Sequence, residues 1–180
     1  LVAKRFVKGQ AVQDILPEML VKLLSQLTFP INMRWGSHSS SFIRPIHWIL
    51  CLFGEDVIPF SYFECQSDRI TYGHRFLSSS QQGTIDGQSI SLETPASYLD
   101  KLEAAFVICD VERRRSLIES FVNSNGGESN KTLLEEVIFL VENPTPLVGT
   151  FNEKFLALPE QVLSQTMRYH QKYFHFYQFL

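Results

Sequence analysis

The sequence predicts an α+β fold, a mixed and largely antiparallel sheet with helices packed on it. Three observations carry that expectation. Apolar residues recur at helical spacing near the start, two apolar runs flank Gly54-Glu55-Asp56, and further helical patterns alternate with Gly and Pro breaks. No internal repeat accompanies them, and 180 residues, 44% of them apolar, suffice for one substantial core. A single domain over residues 1–180 is therefore expected.

The elements follow in order. Val12, Ile15, Leu16, Met19, Leu20, Leu23, Leu24 and Leu27 form a helical stripe. With Asp14 as N-cap, Pro17 falls in the first turn, where its missing donor has no partner to lose. The apolar run over 46–53 and the second over 57–63 read as a hairpin, with a buried helix over 48–53 as the competing reading. Residues 78–88, rich in Ser, Gln and Gly, read as an exposed loop. A helix is expected over 95–105 and a short buried strand over 106–108. Asp110 then caps a helix that ends at Asn125-Gly126-Gly127. Another helix should cover 131–141, stopping before Asn143-Pro144-Thr145-Pro146, with a strand over 147–151. Pro159 suits the first position of a last helix, whose Val162, Leu163, Thr166, Met167 and His170 should be buried. Gln161, Gln165, Arg168 and Lys172 lie on its opposite side, and the aromatic run 173–179 reads as a strand.

Charge and composition exclude several classes. A formal net charge of -3 is unlike a strongly basic RNA-binding module, so any phosphate contact must be local. Cys51, Cys65 and Cys109 are odd in number and widely spaced, which fits reduced thiols and a cytoplasmic location rather than a disulfide framework. Neither a signal peptide nor an apolar run long enough to span a membrane is visible.

Residues 155–174 hold the most informative wording, with Thr166-Met167-Arg168-Tyr169-His170-Gln171-Lys172-Tyr173-Phe174 at its centre. Earlier come, in order, Met33-Arg34-Trp35-Gly36, Phe42-Ile43-Arg44-Pro45-Ile46-His47-Trp48 and Thr71-Tyr72-Gly73-His74-Arg75-Phe76. Together these resemble the beta subunit of bacterial-type, heterotetrameric glycyl-tRNA synthetase, over nearly the whole chain. The chain departs from that family at Ser37-His38-Ser39-Ser40-Ser41 and at Asn143. With Leu1 in place of a start methionine, and an aromatic run at its end, it reads as an internal fragment of a longer beta subunit.

The resemblance implies a fold like the editing-type domain of the phenylalanyl-tRNA synthetase beta subunit. It also implies a role in tRNA recognition and enzyme assembly for the ATP-dependent attachment of glycine to tRNA(Gly). The implied partners are the alpha subunit and tRNA(Gly), with neither DNA nor membrane among them. ATP and Mg would act at the alpha subunit, with no cofactor in this fragment, which alone is expected to be inactive. A deacylating editing domain and a pure assembly module are the other readings.

Individual residues have functional and purely architectural readings. Five histidines lack metal-ligand spacing, so no metal is expected, and His170 reads as a core histidine beside Met167. His47 and His74 adjoin Arg-bearing motifs and suit polar anchoring. Arg34, Arg44 and Arg75 each adjoin an aromatic or imidazole ring, which fits stacking on bases and binding phosphate, or capping carbonyls at the rim of a core. Arg114 lies along the stripe of Val111, Leu117 and Ile118, so it needs a carboxylate or several carbonyls, unless it holds a tRNA phosphate or a carboxylate. Arg168 and Lys172 form a candidate outward strip for tRNA. No Gly-rich phosphate loop or nucleophile-base spacing appears, so no catalytic residue is assigned.

Overall fold

The computed structural model describes residues 2–6, 8–37, 39, 41–79, 87–127 and 130–176. The fold is α+β. The chain divides into two compact units, Leu1–Tyr72 with Gln88–Lys101, and Gly73–Gly87 with Leu102–Leu180.

The first unit contains α1 (Val12–Gln26) and the short strands β1 (Ile49–Leu50), β2 (Leu52–Phe53), β3 (Asp56–Val57), β4 (Ser61–Tyr62), β5 (Cys65–Asp68), β6 (Ile70–Tyr72) and β7 (Ser89–Ser91). Helix α1 begins two residues before the expected cap. Ala11 is the N-cap, with no side-chain hydrogen bond, and Pro17 lies inside the helix, where it removes one backbone bond. Strands β2 and β3 pair antiparallel, Leu52 opposite Val57, and Gly54 at φ 63° makes the turn, so the hairpin reading holds over the helical one. A second hairpin joins β4 to β5 through Phe63 and Glu64, both at positive φ. Strand β1 pairs parallel to β5, and β6 pairs antiparallel with β7.

Pairing among the described residues is thus spread over small sheets of two and three strands rather than one continuous sheet. Polar side chains bridge what the ladders leave open. Buried Ser67 donates from Oγ to Ile58 O at 2.6 Å and accepts from the Phe60 N–H at 2.8 Å. Arg69 donates to Leu92 O at 3.2 Å and to Glu55 O at 3.0 Å. Among the described residues, Ile58, Ile90 and Leu92 are the buried apolar side chains of this unit.

A 3-10 turn (Pro95–Ser97) leads into α2 (Tyr98–Ala104), as the helical pattern over 95–105 requires. The expected strand at 106–108 is instead a helix-ending loop. The Phe106 N–H donates to Glu103 O at 3.0 Å and the Val107 N–H to Leu102 O at 2.8 Å, with Phe106 at φ 63°. This paired closure ends a helix on a left-handed residue, normally glycine, which is why the apolar wording concealed it.

The second unit is helical. Asp110 accepts from the N–H groups of Glu112 and Arg113 and starts α3 (Val111–Ser124), as expected. The helix closes with Gly126 at φ 73° and the Gly127 N–H donating to Val122 O at 2.9 Å. Asn130 caps α4 (Lys131–Ile138), three residues shorter than the pattern suggests. Ile118 and Val122 of α3 pack with Leu134 and Ile138 of α4, and Val111, Val137, Val141, Phe174 and Phe176 close around them. The core here is helix on helix, not helix on sheet.

Residues 147–151 make no strand, having no ladder partner among the described residues, and Leu147 is 86% exposed. A 3-10 turn (Glu153–Ala157) precedes α5 (Glu160–Gln165), for which Pro159 is the N-cap rather than the first helical residue. A π-helical turn (Thr166–His170) follows. Of the predicted buried stripe, Leu163 and Met167 are half-buried while Val162, Thr166 and His170 are exposed, so His170 is not a core histidine. The strand expected over 173–179 is reduced, at 173–176, to one bridge between Phe176 and Gly127; 177–179 lie outside the described residues. Residues 80–86 of the expected loop do as well.

Candidate nucleic-acid interface

In the first unit, the Met33 and Phe42 backbones exchange hydrogen bonds of 2.7 and 3.1 Å, bringing the two Arg-bearing motifs together. Arg44 reaches back over this bridge, its Nη1 3.7 Å from Met33 Sδ. Phe42 meets Phe29 edge-on at 5.2 Å and Tyr62 at 6.1 Å, and Trp35 lies 4.6 Å from Phe63. Phe63 occupies a left-handed turn position unfavourable for a bulky residue, and its ring packing offsets part of that strain. Arg34 and Arg44 are exposed beside these half-buried rings. The rings build the unit, and the cations are presented at its rim.

His47 is exposed, 6.2 Å from the Trp48 ring, and lines a hollow of about 180 Å³ with Trp48, Cys65, Asp68 and Tyr72. Trp48 packs on Tyr72 at 4.7 Å, which anchors the end of the motif to β6.

In the second unit, Gly73 is required by close approach. A Cβ there would lie 2.6 Å from both Ala105 Cβ and Ser78 Oγ. His74 then organises the turn: its N–H donates to Ala105 O at 2.8 Å, and its Nδ1 accepts from the N–H groups of Phe76 and Leu77, both at 3.2 Å. Anchoring is the role the geometry gives His74. Arg75 and Phe76 are left exposed at the tip.

Arg114 is only 9% exposed, and its partners are carbonyls. Nε donates to Ile138 O at 3.0 Å, and Nη1 to Cys109 O at 3.0 Å and to Ile108 O. It ties α3 to the loop before it and to the end of α4, beside a hollow of about 230 Å³ lined by Val107, Phe139, Leu140 and Val141. The carbonyl alternative for this residue is the one observed.

The outward strip on the last helix is broken. The π turn inserts an extra residue into the helical repeat, Arg168 is half-buried, and Lys172 falls beyond the helix at φ 56°. Lys172 pairs with the Glu136 carboxylate at 2.8 Å, fastening the chain to α4. In the first unit Arg34 and Arg44 thus flank one bridge while His47 lines its own hollow, and in the second His74 and Arg75 share a turn while Arg114, Arg168 and Lys172 belong to other elements.

Sequence reasoning missed Arg69 and Ser67, whose only signal is a charged and a small polar residue in otherwise strand-like wording. It also missed the pair Arg115 and Glu135 at 2.6 Å, which joins α3 to α4. Arg115 holds the Glu135 carboxyl below the ordinary carboxylate range, chiefly through that hydrogen bond. The Lys101 ammonium does the same to Glu93, and burial pushes the Cys51 thiol up. Among the described residues no three His, Cys, Asp or Glu side chains come together as a metal site. The arrangement offers cations and ring faces for binding.

A family model described as glycyl-tRNA synthetase beta subunit matches residues 1–179. The chain is 44% identical over 177 residues to the glycine–tRNA ligase beta subunit of Bacillus subtilis, covering 95% of this chain and 25% of that protein. The subunit of the same name from Shouchella clausii is 44% identical over 178 residues, covering 96% and 24% respectively. That from Levilactobacillus brevis is 40% identical over 177 residues, covering 95% and 24%. The chain spans about a quarter of the length of these curated relatives.

Proposed function

The chain belongs to the glycyl-tRNA synthetase beta subunit family, and on that premise we propose that it supports tRNA recognition and subunit assembly in a glycine–tRNA ligase. The reaction is ATP-dependent attachment of glycine to tRNA(Gly), carried out with an alpha subunit in the cytoplasm. The observation that supports this most is the match across residues 1–179. The Met-Arg-Trp and Arg-Pro motifs it contains meet at one backbone bridge, with Arg34 and Arg44 exposed.

We propose that this chain itself holds neither Mg nor ATP. Of its left-handed glycines among the described residues, Gly54 turns a hairpin, Gly126 closes a helix and Gly36 follows Trp35 in the first Arg-bearing motif, and none of them leads into a helix N-terminus of the phosphate-cradling kind. The described residues also group no acidic ligands. We therefore assign adenylate chemistry to the alpha subunit. The finer fold reading, likeness to the editing-type domain of phenylalanyl-tRNA synthetase, rests on the α+β make-up, and superposition of an experimental structure tests it.

The functional test uses the full-length subunit with its alpha partner, comparing the native protein with Arg34→Ala and Arg44→Ala. Affinity for tRNA(Gly) should fall, and the slope of log K against log salt should shrink by about 0.7–0.9 for each phosphate no longer neutralised. Unchanged affinity and slope would remove this surface from tRNA recognition.

A further inference from the structure

The hollow of about 180 Å³ in the first unit joins ring faces to hydrogen-bonding groups. Trp48 and Tyr72 give it aromatic walls, their rings 4.7 Å apart, and Trp48 is still 39% exposed. Gln66 and Asp68, which also line it, alternate along β5 with buried Ser67, so both stand on the strand's exposed face. Strand β5 is the middle one of its sheet, which holds the two polar side chains on a rigid element. Asp68 Oδ1 accepts from the Arg69 N–H at 2.7 Å, and no donor meets its Oδ2 among the described residues. The Gln66 carboxamide has no partner among them either, so the hollow offers a donor and an acceptor together with a pure acceptor.

We propose that this hollow takes one unstacked base of tRNA, of the kind that carries an exocyclic amine. The inference rests on the proposed role in tRNA recognition and names what that surface reads. Size selects the ligand: the hollow falls below the roughly 300–1,000 Å³ of sites for whole small molecules and suits a single ring system. Chemistry selects RNA. Proteins read single-stranded RNA by stacking a splayed base on aromatic rings and hydrogen-bonding its edge, with cations on the adjoining backbone. Arg44, exposed and four residues before Trp48 in the same motif, supplies such a cation. A carboxylate accepts from an amine, as with cytosine N4, and has nothing to offer the carbonyl that uracil presents in its place. His47, Cys65 and Asp68 line the hollow together, but do not converge as a metal site among the described residues.

The experiment measures tRNA(Gly) affinity at several salt concentrations for the full-length subunit with its alpha partner, carrying Trp48→Leu, Gln66→Ala or Asp68→Ala. Loss of stacking at Trp48 should weaken binding roughly 5- to 150-fold. Loss of either polar group, both exposed and so separable from folding, should weaken it several-fold. The salt slope should not shrink, since none of the three side chains neutralises a phosphate. Short oligo(C) and oligo(A) should compete with tRNA(Gly) several-fold better than oligo(U), and Asp68→Ala should erase that difference. Unchanged affinity in both Gln66→Ala and Asp68→Ala would overturn the proposal. A gain on Asp68→Ala would do so too, by showing a carboxylate that only repels RNA, as would competition blind to the base. If Arg34→Ala and Arg44→Ala weaken binding and the hollow's variants do not, tRNA recognition stands and the base site falls; if neither set does, both fall.

Discussion

Replacing Arg114 with Ala removes the donor for three carbonyls at once, those of Ile108, Cys109 and Ile138. Hydrogen bonds from a charged donor contribute about 1.5–3 kcal/mol each, so the gross loss is about 5–9 kcal/mol. Much of it is recovered. The buried guanidinium no longer has to be desolvated, and the Ile108 and Cys109 carbonyls border a hollow of about 230 Å³ that admits water. Ile138 differs, being fully buried at the end of α4, where Phe139 and Leu140 satisfy the carbonyls of Glu136 and Val137 but not its own. Leaving that carbonyl unpaired costs about 1–3 kcal/mol, and removing the aliphatic stem of Arg114 weakens the packing as well. The expected net cost is about 2–3 kcal/mol. Hydrogen exchange on the full-length subunit reads it directly: amides of α3 and α4 should exchange roughly 30- to 150-fold faster. Carbonyls do not titrate, so the increment should be the same at mildly acidic and neutral pH. Unchanged protection, or a loss that varies with pH as a carboxylate partner would make it, would refute the assignment.

Three further outcomes are expected from individual contacts. Because Arg115 lowers the Glu135 pKa, the pair's contribution is complete above the unfolded carboxylate value of about 4.3 and lost as pH falls through the lower folded value. Thermal melts from neutral to acidic pH should show a steeper decline for the native protein than for Glu135→Gln. Gly73→Ala should destabilise by about 1–3 kcal/mol, since its Cβ would meet Ala105 Cβ at 2.6 Å and Ala105 O at 2.9 Å. Its Tm relative to the native protein measures this. Phe106→Gly should stabilise by about 1 kcal/mol, because the residue sits at φ 63° and is 46% exposed. A lowered denaturation midpoint would show that the ring's packing outweighs the strain.

What the sequence made legible was local. Asp110 before an apolar stripe, and Gly126 after it, carry their own capping chemistry, so α3 could be bounded closely. Gly54 between two apolar runs likewise marked a hairpin. Phe106 defeated the same logic, because it takes the left-handed position that glycine usually announces. The π turn at Thr166–His170 has no apolar period of its own, and it shifted Arg168 and Lys172 away from their expected strip. Arg114 shows both sides. Its spacing turned it inward correctly, but nothing in the wording distinguished carbonyl partners from a carboxylate, because the acceptors belong to the ends of other elements. For the candidate interface, the motifs identified Arg34 and Arg44, and only the fold placed them at one bridge.

The proposed function makes this chain a part of a glycine–tRNA ligase that depends on the other subunit for catalysis. ATP-dependent glycylation of tRNA(Gly), measured on the 180-residue chain alone and on the full-length subunit with its alpha partner, tests it most directly. The expected result is no product from the chain alone and glycyl-tRNA from the assembled subunits. Glycylation by the isolated chain, or none by the assembled pair, would contradict it.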